Sequence, residues 1–570
     1  MANPVLDHAF LDQIRRLNTF DSGCDLEAVA NSCEEPVQLV EKLIAANQLG
    51  KDEGSRFWAT CLGYAYVDPQ SSVITKEALD LIPMEIALKA RALPLYRLEN
   101  TVTIAMAKPE DRTLAAQLAK ITRLSVSPVY ANSEDIADLI RIQYCTEETI
   151  TESLKSLEEH KLFSGDIETV SEQMAAMADT DQLVQFVDAI IHFALRRNAS
   201  DIHIEPRETL VQLRYRIDGT LRQILTYPRK LHPSVITRLK ILANLNITES
   251  RFPSDGRFSM KLGTAKAGFR FSTIPCQYGE KAVMRVLASA GIKSILTLER
   301  MMMSQTMLEP FRRMIKNPSG IIFVTGPTGS GKTTTLYSVL SELNDPGINI
   351  STIEDPIEMQ LEGINQSQVN HHIDLNFALL LRSLLRQDPD VILIGEIRDL
   401  ETAKIAVEAA LTGHIVLATL HTNSAPEAII RLEEIGVDHY MIAPAVIGVL
   451  AQRLAARICE SCKESYTPSE TVLRRFFDDD PLPDVTFYRG KGCPACEGTG
   501  YKGRVAFHEL FLVNQDVRAK ISERASQREL IEAASKVGYR PLRYDGLKKV
   551  LLGLTTIEEI ESGTITEFMS

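Results

Sequence analysis

The sequence predicts an α/β protein whose C-terminal half is a parallel-sheet domain, preceded by smaller mixed units. Three observations carry this. From about residue 291 onward, short branched-apolar runs such as "IIFV" and "VILI" alternate with segments of helical period, the pattern of buried strands joined by crossover helices. A glycine-rich run, "GPTGSGKT" at 326–333, lies between one such strand and one such helix. The stretch 210–217, "LVQLRYRI", alternates apolar and polar residues as a half-buried strand does.

Along the chain, residues 1–145 mix amphipathic segments with short strands such as "TVTIAMA" at 101–107, an α+β unit. The stretch 147–181 holds ten acids against two lysines, with Phe163 its one aromatic residue. It reads as an acidic linker over 146–180 with some helix. A second unit, 181–290, opens on an amphipathic helix in which Leu183, Val187, Ile190 and Ala194 recur at helical spacing. In the strand that follows, Val211, Leu213, Tyr215 and Ile217 face one way, and Gln212, Arg214 and Arg216 the other. Asp218-Gly219 marks a tight turn into the next strand. The domain over 291–570 includes a cysteine-bearing insert at 455–510 and a helical tail at 511–570.

Composition narrows the function classes. A chain of 570 residues has room for about three or four domains. Its 45% hydrophobic and 24% charged residues are ordinary for a globular protein. A net charge of −13 argues against a surface dominated by nucleic-acid binding. The start "MANPVLDHAF" lacks a basic region followed by an apolar run, so no signal peptide is expected. The longest apolar candidate, "MIAPAVIGVLAQRLAARI", is broken by Gln452 and two arginines, so no membrane-spanning helix is expected and the chain is placed in the cytoplasm. Nine cysteines in that reducing compartment are not a disulfide framework.

Gly326, Pro327, Thr328, Gly329, Ser330, Gly331, Lys332 and Thr333 match the full G-x-x-x-x-G-K-[ST] phosphate-loop pattern, with Thr334 continuing into the helix. Glycines let backbone N–H groups turn onto phosphate oxygens beside a helix N-terminus. Lys332 is expected on the β- and γ-phosphates of ATP and the Thr333 hydroxyl on Mg²⁺. "STIEDPIEMQ" then places Glu354, Asp355 and Glu358 at a strand end, with Pro356 favouring an extended Asp355. Glu396 follows "VILIG" at another strand end, where a carboxylate can bind Mg²⁺ through water. Arg382 and Arg386 are four apart on one helical face, and Arg398 lies two residues past Glu396. Such arginines can neutralise a transferring phosphoryl group or simply pair with nearby aspartates. His414 and His421 bracket the strand "IVLATL", and His421 with Thr422 and Asn423 could sense a γ-phosphate.

Cys459 and Cys462 form one C-x-x-C pair, Cys493 and Cys496 another, with 30 residues between. Two such knuckles make a structural four-cysteine Zn²⁺ site. Two separate redox motifs or free thiols are the other readings.

These motifs together resemble the motor ATPases of type II secretion and type IV pilus assembly. The resemblance spans about 180–560 and rests on "ASDIHIEP", "RYRIDGTL", "PSDGRFS", "GPTGSGKTTTLY", "TIEDPIE", "LRSLLRQDPDVILIGEIRD", "ETAKIAVEAALTGHIVLATLHTN", the paired C-x-x-C and "DGLKKVLLGLTTIEEI". It implies a RecA-like P-loop core, with a PAS-like domain at 181–290. It implies that Glu396 is the acid after the Walker B strand. Glu354 would polarise the attacking water, supported by Asp355 and Glu358, and a histidine box would lie around His414 and His421. Arginines from the preceding domain would act on the nucleotide, and the matching positions are Arg214, Arg216 and Arg229, with Arg382 and Arg398 in the family's own motifs. One departure is "ESRFPSDGR", where Ser250 and Ser254 replace the family's usual residues. Some relatives carry a cyclic-di-GMP motif beginning Arg-Leu-Gly; none precedes "VEKLIAANQLG", so that ligand is not predicted.

The function so implied is a cytoplasmic homo-hexameric ATPase, peripheral at the inner membrane through its partners. Those partners are an inner-membrane platform protein and the cytoplasmic region of a membrane-anchored component, with no nucleic acid. A DNA or helicase-type translocase, a non-hydrolysing scaffold and a pilus retraction motor are the alternatives.

Overall fold

The computed structural model describes residues 8–564 apart from 22, 34, 47, 160–177, 179, 263–264, 288–296 and 475–484. The chain divides into two units, Met1–Ser294 and Ile295–Ser570.

The first unit begins with four short helices, His8–Arg15, Leu26–Asn31, Pro36–Ala45 and Lys51–Leu62. Leu11, Ile14, Leu39 and Leu43 bury together among them. A small sheet follows, in which Ala92–Leu98 runs antiparallel to Thr101–Met106, itself parallel to Ser125–Tyr130. The segment expected as an acidic linker is described as far as residue 159. There it is helix, Glu147–Glu159, with Ile150 and Leu157 fully buried against Leu183, Phe186 and Ile190 of the helix Asp181–Arg196. Its acids occupy the outer face, so charge density alone did not reveal the apolar stripe beneath. The rest of that expected linker, 160–177 and 179, lies outside the described residues.

The second half of this unit is a six-stranded antiparallel sheet. Its order is Thr220–Pro228, Leu210–Ile217, Asp201–Pro206, Gly279–Leu287, Ala265–Cys276 and Ser254–Leu262. Val211, Leu213, Tyr215 and Ile217 are buried under the helices, so Arg214 and Arg216 stand on the opposite face, as a period of two requires. Asp218 and Gly219 have φ of +49° and +89°, the pair of left-handed residues that a two-residue hairpin needs.

The second unit is a seven-stranded sheet sandwiched by helices. Its strands are β1 (Gly320–Thr325), β2 (Ile350–Glu354), β3 (Asn365–Gln368), β4 (Val391–Ile394), β5 (Ile415–Leu420), β6 (Val446–Ile458) and β7 (Tyr501–Leu512). They lie in the order β3-β2-β4-β5-β1-β6-β7, parallel except for β7, which runs antiparallel to β6. Every residue of β1, β2, β4 and β5 is buried, which is why β1, β4 and β5 read as largely apolar runs; β2 buries Ser351, Thr352 and Glu354 as well. Each fully buried Ile, Leu or Val adds about 1.5–3 kcal/mol relative to exposure. The ends of the expected cysteine insert, 455–458 and 501–510, belong to β6 and β7 and so extend the sheet. Parallel strands send their loops out at one edge, where α/β ligand crevices form. Among the described residues no helix is long and apolar enough to cross a membrane.

Candidate functional site

The C-terminal end of β1 leads directly into the glycine-rich loop. Gly326, Gly329 and Gly331 hold φ of +147°, +81° and +90°, a left-handed path that side chains would strain. A Cβ at Gly326 would lie 2.5 Å from the Gln452 carbonyl oxygen, and one at Gly331 2.7 Å from Gln452 Nε2. The loop wraps back to the helix Lys332–Leu343, whose N-terminus closes the turn. Pro327, Thr328 and Gly329 are exposed at the rim, as are Thr333 and Thr334 on the first helical turn. Lys332 reaches across the loop and donates from Nζ to the carbonyls of Gly326 (2.8 Å) and Pro327 (3.1 Å). Ser330 Oγ is buried with no hydrogen-bond partner among the described residues. A polyanion fits this cradle: it would supply acceptors for the lysine, the orphaned hydroxyl and the helix N–H groups.

Two carboxylates stand at neighbouring strand ends. Glu354 closes β2 and is only 4% exposed. Its Oε2 accepts from the Tyr337 hydroxyl at 2.5 Å; its Oε1 accepts from Thr352 Oγ1 at 2.6 Å and Gln366 Nε2 at 3.1 Å. Glu396 follows β4 after Gly395. The Gly395 N–H donates to the Ile353 carbonyl at 2.8 Å, and a Cβ there would meet Glu354 Cα at 3.3 Å. That close approach makes a side chain at 395 a tight fit against the β2 backbone, and the acid stands one residue later. Asp355 Oδ2 meets His371 Nε2 at 2.9 Å, and Glu358 lies in the loop after β2.

Basic side chains gather on Glu396. Arg398 pairs with it at 2.5 Å and His421 Nε2 lies 3.7 Å from it. Burial, then the nearby Arg453 guanidinium, pushes the Lys332 ammonium down to about 8, against the pull of Glu396. Burial and Lys332 likewise lower the His421 imidazole. Positive charge here exceeds what Glu396 balances, which is the electrostatics of a phosphate site.

Other expected residues fall elsewhere. Arg382 pairs with Glu401 of the helix Leu400–Leu411. His414 opens β5 at the end opposite the glycine-rich loop, where its ring meets the Ala409 carbonyl at 2.9 Å.

Sequence reasoning passed over four residues. Gln452 and Arg453 on β6 entered it only as interruptions of an apolar run. Both are buried: Gln452 holds the loop from beneath, and Arg453 donates to the Asn423 carbonyl at 2.9 Å. A polar pair inside a buried strand was the available signal. Tyr337, the last residue of "GPTGSGKTTTLY", had no role attached to it, and Gln366, the other partner of Glu354, lies in no motif.

The four cysteines converge. Four thiolates each about 2.3 Å from one zinc ion sit about 3.8 Å from one another. Here Cys459–Cys493 is 3.9 Å, Cys462–Cys496 and Cys493–Cys496 are 3.7 Å, and all four sulfurs lie within 4.8 Å. The Cys493 and Gly500 N–H groups each donate to Cys496 Sγ at 3.2 Å. The cluster is compatible with zinc.

With this geometry in place, comparison with known proteins is decisive. Residues 176–562 match the type II/IV secretion system protein family. The chain belongs to that family. Residues 62–149 also match the MshEN domain. The chain is 41% identical over 537 residues to the type IV pilus assembly ATPase PilB of Thermus thermophilus, covering 93% of this chain and 59% of that relative's length. It is 36% identical over 560 residues to the Pseudomonas aeruginosa protein of the same name, covering 97% and 98%. With the type II secretion system ATPase E of Vibrio cholerae it shares 44% identity over 390 residues, 68% of this chain and 77% of that one. The X-ray structure of the Legionella pneumophila ATPase DotB superposes with a TM-score of 0.51 at 22% identity, covering 68% of this chain and 96% of that one, a likeness of fold.

The arginines that the secretion-family resemblance singled out before the P-loop domain all lie in the first unit. Arg214 Nη2 donates to both oxygens of Glu205 at 2.7 Å, Arg216 lies 3.5 Å from Asp201, and Arg229 packs 5.9 Å from the Tyr278 ring.

Proposed function

We propose that this secretion-family chain hydrolyses ATP to drive assembly of a pilus or pseudopilus. The observation that carries it is the joining of a left-handed glycine cradle, a surplus of positive charge and two strand-end carboxylates at one edge of the sheet. Lys332 and the loop N–H groups hold the phosphates, and Ser330 Oγ gains a partner. Thr333 and Glu396 hold Mg²⁺, which when bound draws charge from the phosphate oxygens. Glu354 orients a water whose oxygen attacks the γ-phosphorus. The bond to the β–γ bridging oxygen breaks, ADP leaves with the electron pair, one proton of the water stays with the released phosphate and the other passes to solvent. Arg398, Arg214, Arg216 and Arg229 stabilise the transferring charge, with Arg382, Asp355, Glu358 and His421 in support.

The working form is a homo-hexamer in which hydrolysis drives rigid-body domain motion. The N-terminal region docks the cytoplasmic part of a membrane-anchored component and the ring acts on an inner-membrane platform protein, keeping the motor peripheral to the membrane. One Zn²⁺ held by the four cysteines would brace the base of the connection between β6 and β7. Similarity over nearly the whole chain to pilus-assembly relatives, against two thirds for the secretion relative, favours pilus assembly.

Phosphate release by the purified full-length chain tests the reading. ATP-dependent release that is lost in Lys332→Ala supports it. An oligomer that binds ATP without releasing phosphate would make the chain a nucleotide-gated scaffold, and salt-sensitive DNA binding would favour a translocase.

A further inference from the structure

The helix that starts at Lys332 reaches Glu354 through one side chain. Tyr337 lies four residues past Thr333, one turn along the same helix face. Its ring is buried with Leu340, Ile350 and Leu393, and a phenylalanine would fill that space equally well. The hydroxyl is therefore not required for packing. It donates to Glu354 Oε2, while the backbone N–H groups of Glu358 and Met359 bond the phenol oxygen itself. Burial and the Glu354 bond push the phenol well above its ordinary range, so it stays a donor.

The other carboxylate oxygen is held as firmly. Thr352, two residues back on β2, donates to Oε1. Gln366 sits on the adjacent β3 and its amide orientation is set from both sides. Its Oε1 accepts from the Leu361 N–H at 2.8 Å, which leaves Nε2 to donate to the Met359 carbonyl at 3.0 Å and to Glu354. The donors thus come from three elements: the P-loop helix, the strand of Glu354 and the strand beside it.

We propose that Tyr337, assisted by Thr352, is a positioning residue for Glu354, linking the carboxylate that directs the attacking water to the helix that carries Lys332 and Thr333. A shift of that helix when phosphates enter the cradle is then transmitted to Glu354 through a single hydrogen bond. The inference rests on the water-directing role of Glu354 proposed above.

The test uses the full-length chain. Tyr337→Phe keeps the ring, so ADP affinity within about threefold of the parent is expected, with kcat down about tenfold and KM for ATP little changed. Thr352→Val keeps the strand shape, removes one donor and should show the same kcat-selective loss. In single-turnover assays Tyr337→Phe added to Glu354→Gln should slow hydrolysis no further, because it acts through the carboxylate. A parental kcat in either Tyr337→Phe or Thr352→Val, with Glu354→Gln inactive, overturns the proposal. So does a full additional loss in the double variant. If Glu354→Gln itself turns over ATP normally, the role of Glu354 fails first, and that result is distinct from the others.

Discussion

The side-chain amide of Gln452 donates to the Ser330 carbonyl at 2.8 Å, while its own carbonyl accepts from Thr335 Oγ1 at 2.5 Å. One buried residue of β6 thereby holds both the glycine-rich loop and the helix after it. Gln452→Leu would leave the Ser330 carbonyl and the Thr335 hydroxyl without this partner, a cost of about 1–3 kcal/mol. The expected outcome is a lower unfolding midpoint together with about tenfold weaker ADP binding, read by thermal melts and by titration of a fluorescent ADP analogue.

Arg398 and Arg382 should separate in their effects. Arg398 is paired with Glu396 inside the charge cluster; Arg382 is paired with Glu401, and both of those side chains are half exposed. Exposed ion pairs add little stability, so neither alanine variant should shift the melting temperature appreciably. Arg398→Ala should lower kcat by about tenfold or more, and Arg382→Ala by clearly less, in steady-state phosphate release.

Metal analysis of protein purified without chelator should give about one zinc per chain. Cys496→Ser, which removes the sulfur that collects the Cys493 and Gly500 N–H groups, should lose that zinc and lower the melting temperature. ADP affinity should stay near the parental value, because the cluster braces the outer edge of the sheet.

Acid sensitivity should trace in part to His508 on β7. This side chain is fully buried and neither ring nitrogen has a hydrogen-bond partner among the described residues. Burial first, and the neighbouring Lys549 second, lower the imidazole to about 3. Asp545, whose carboxyl burial raises, faces it at 3.9 Å. The folded pKa lies below the unfolded value of about 6.5, so the unfolded chain binds the extra proton between the two. Stability from a neutral His508 is therefore present above about pH 6.5 and lost as pH falls toward 3. Denaturant melts at about pH 7.5 and pH 5 should show a smaller acid-induced drop for His508→Leu than for the parent.

Much of this site was legible because its chemistry depends on local sequence. The glycine spacing, Lys332, Thr333 and the two C-x-x-C pairs lie within short windows where backbone conformation and ligand geometry dictate residue type. The placing of Glu396 one residue late was also visible, but the close approach of Gly395 to β2 was not. What stayed hidden joins distant segments. Gln452 meets Ser330 across 122 residues and Gln366 meets Glu354 across a parallel strand pair. Such partners share no periodicity with what they hold. The packing of the helix Glu147–Glu159 was obscured for another reason: within a segment read as acidic linker with some helix, its acids cover the buried Ile150 and Leu157.

The central claim is that Glu354 directs the water that cleaves ATP. Phosphate release by Glu354→Gln, measured beside ADP affinity on the same preparation, tests it most directly. The account predicts a kcat lower by about a hundredfold or more with nucleotide still bound at near-parental affinity. A folded Glu354→Gln protein that releases phosphate at the parental rate would contradict it.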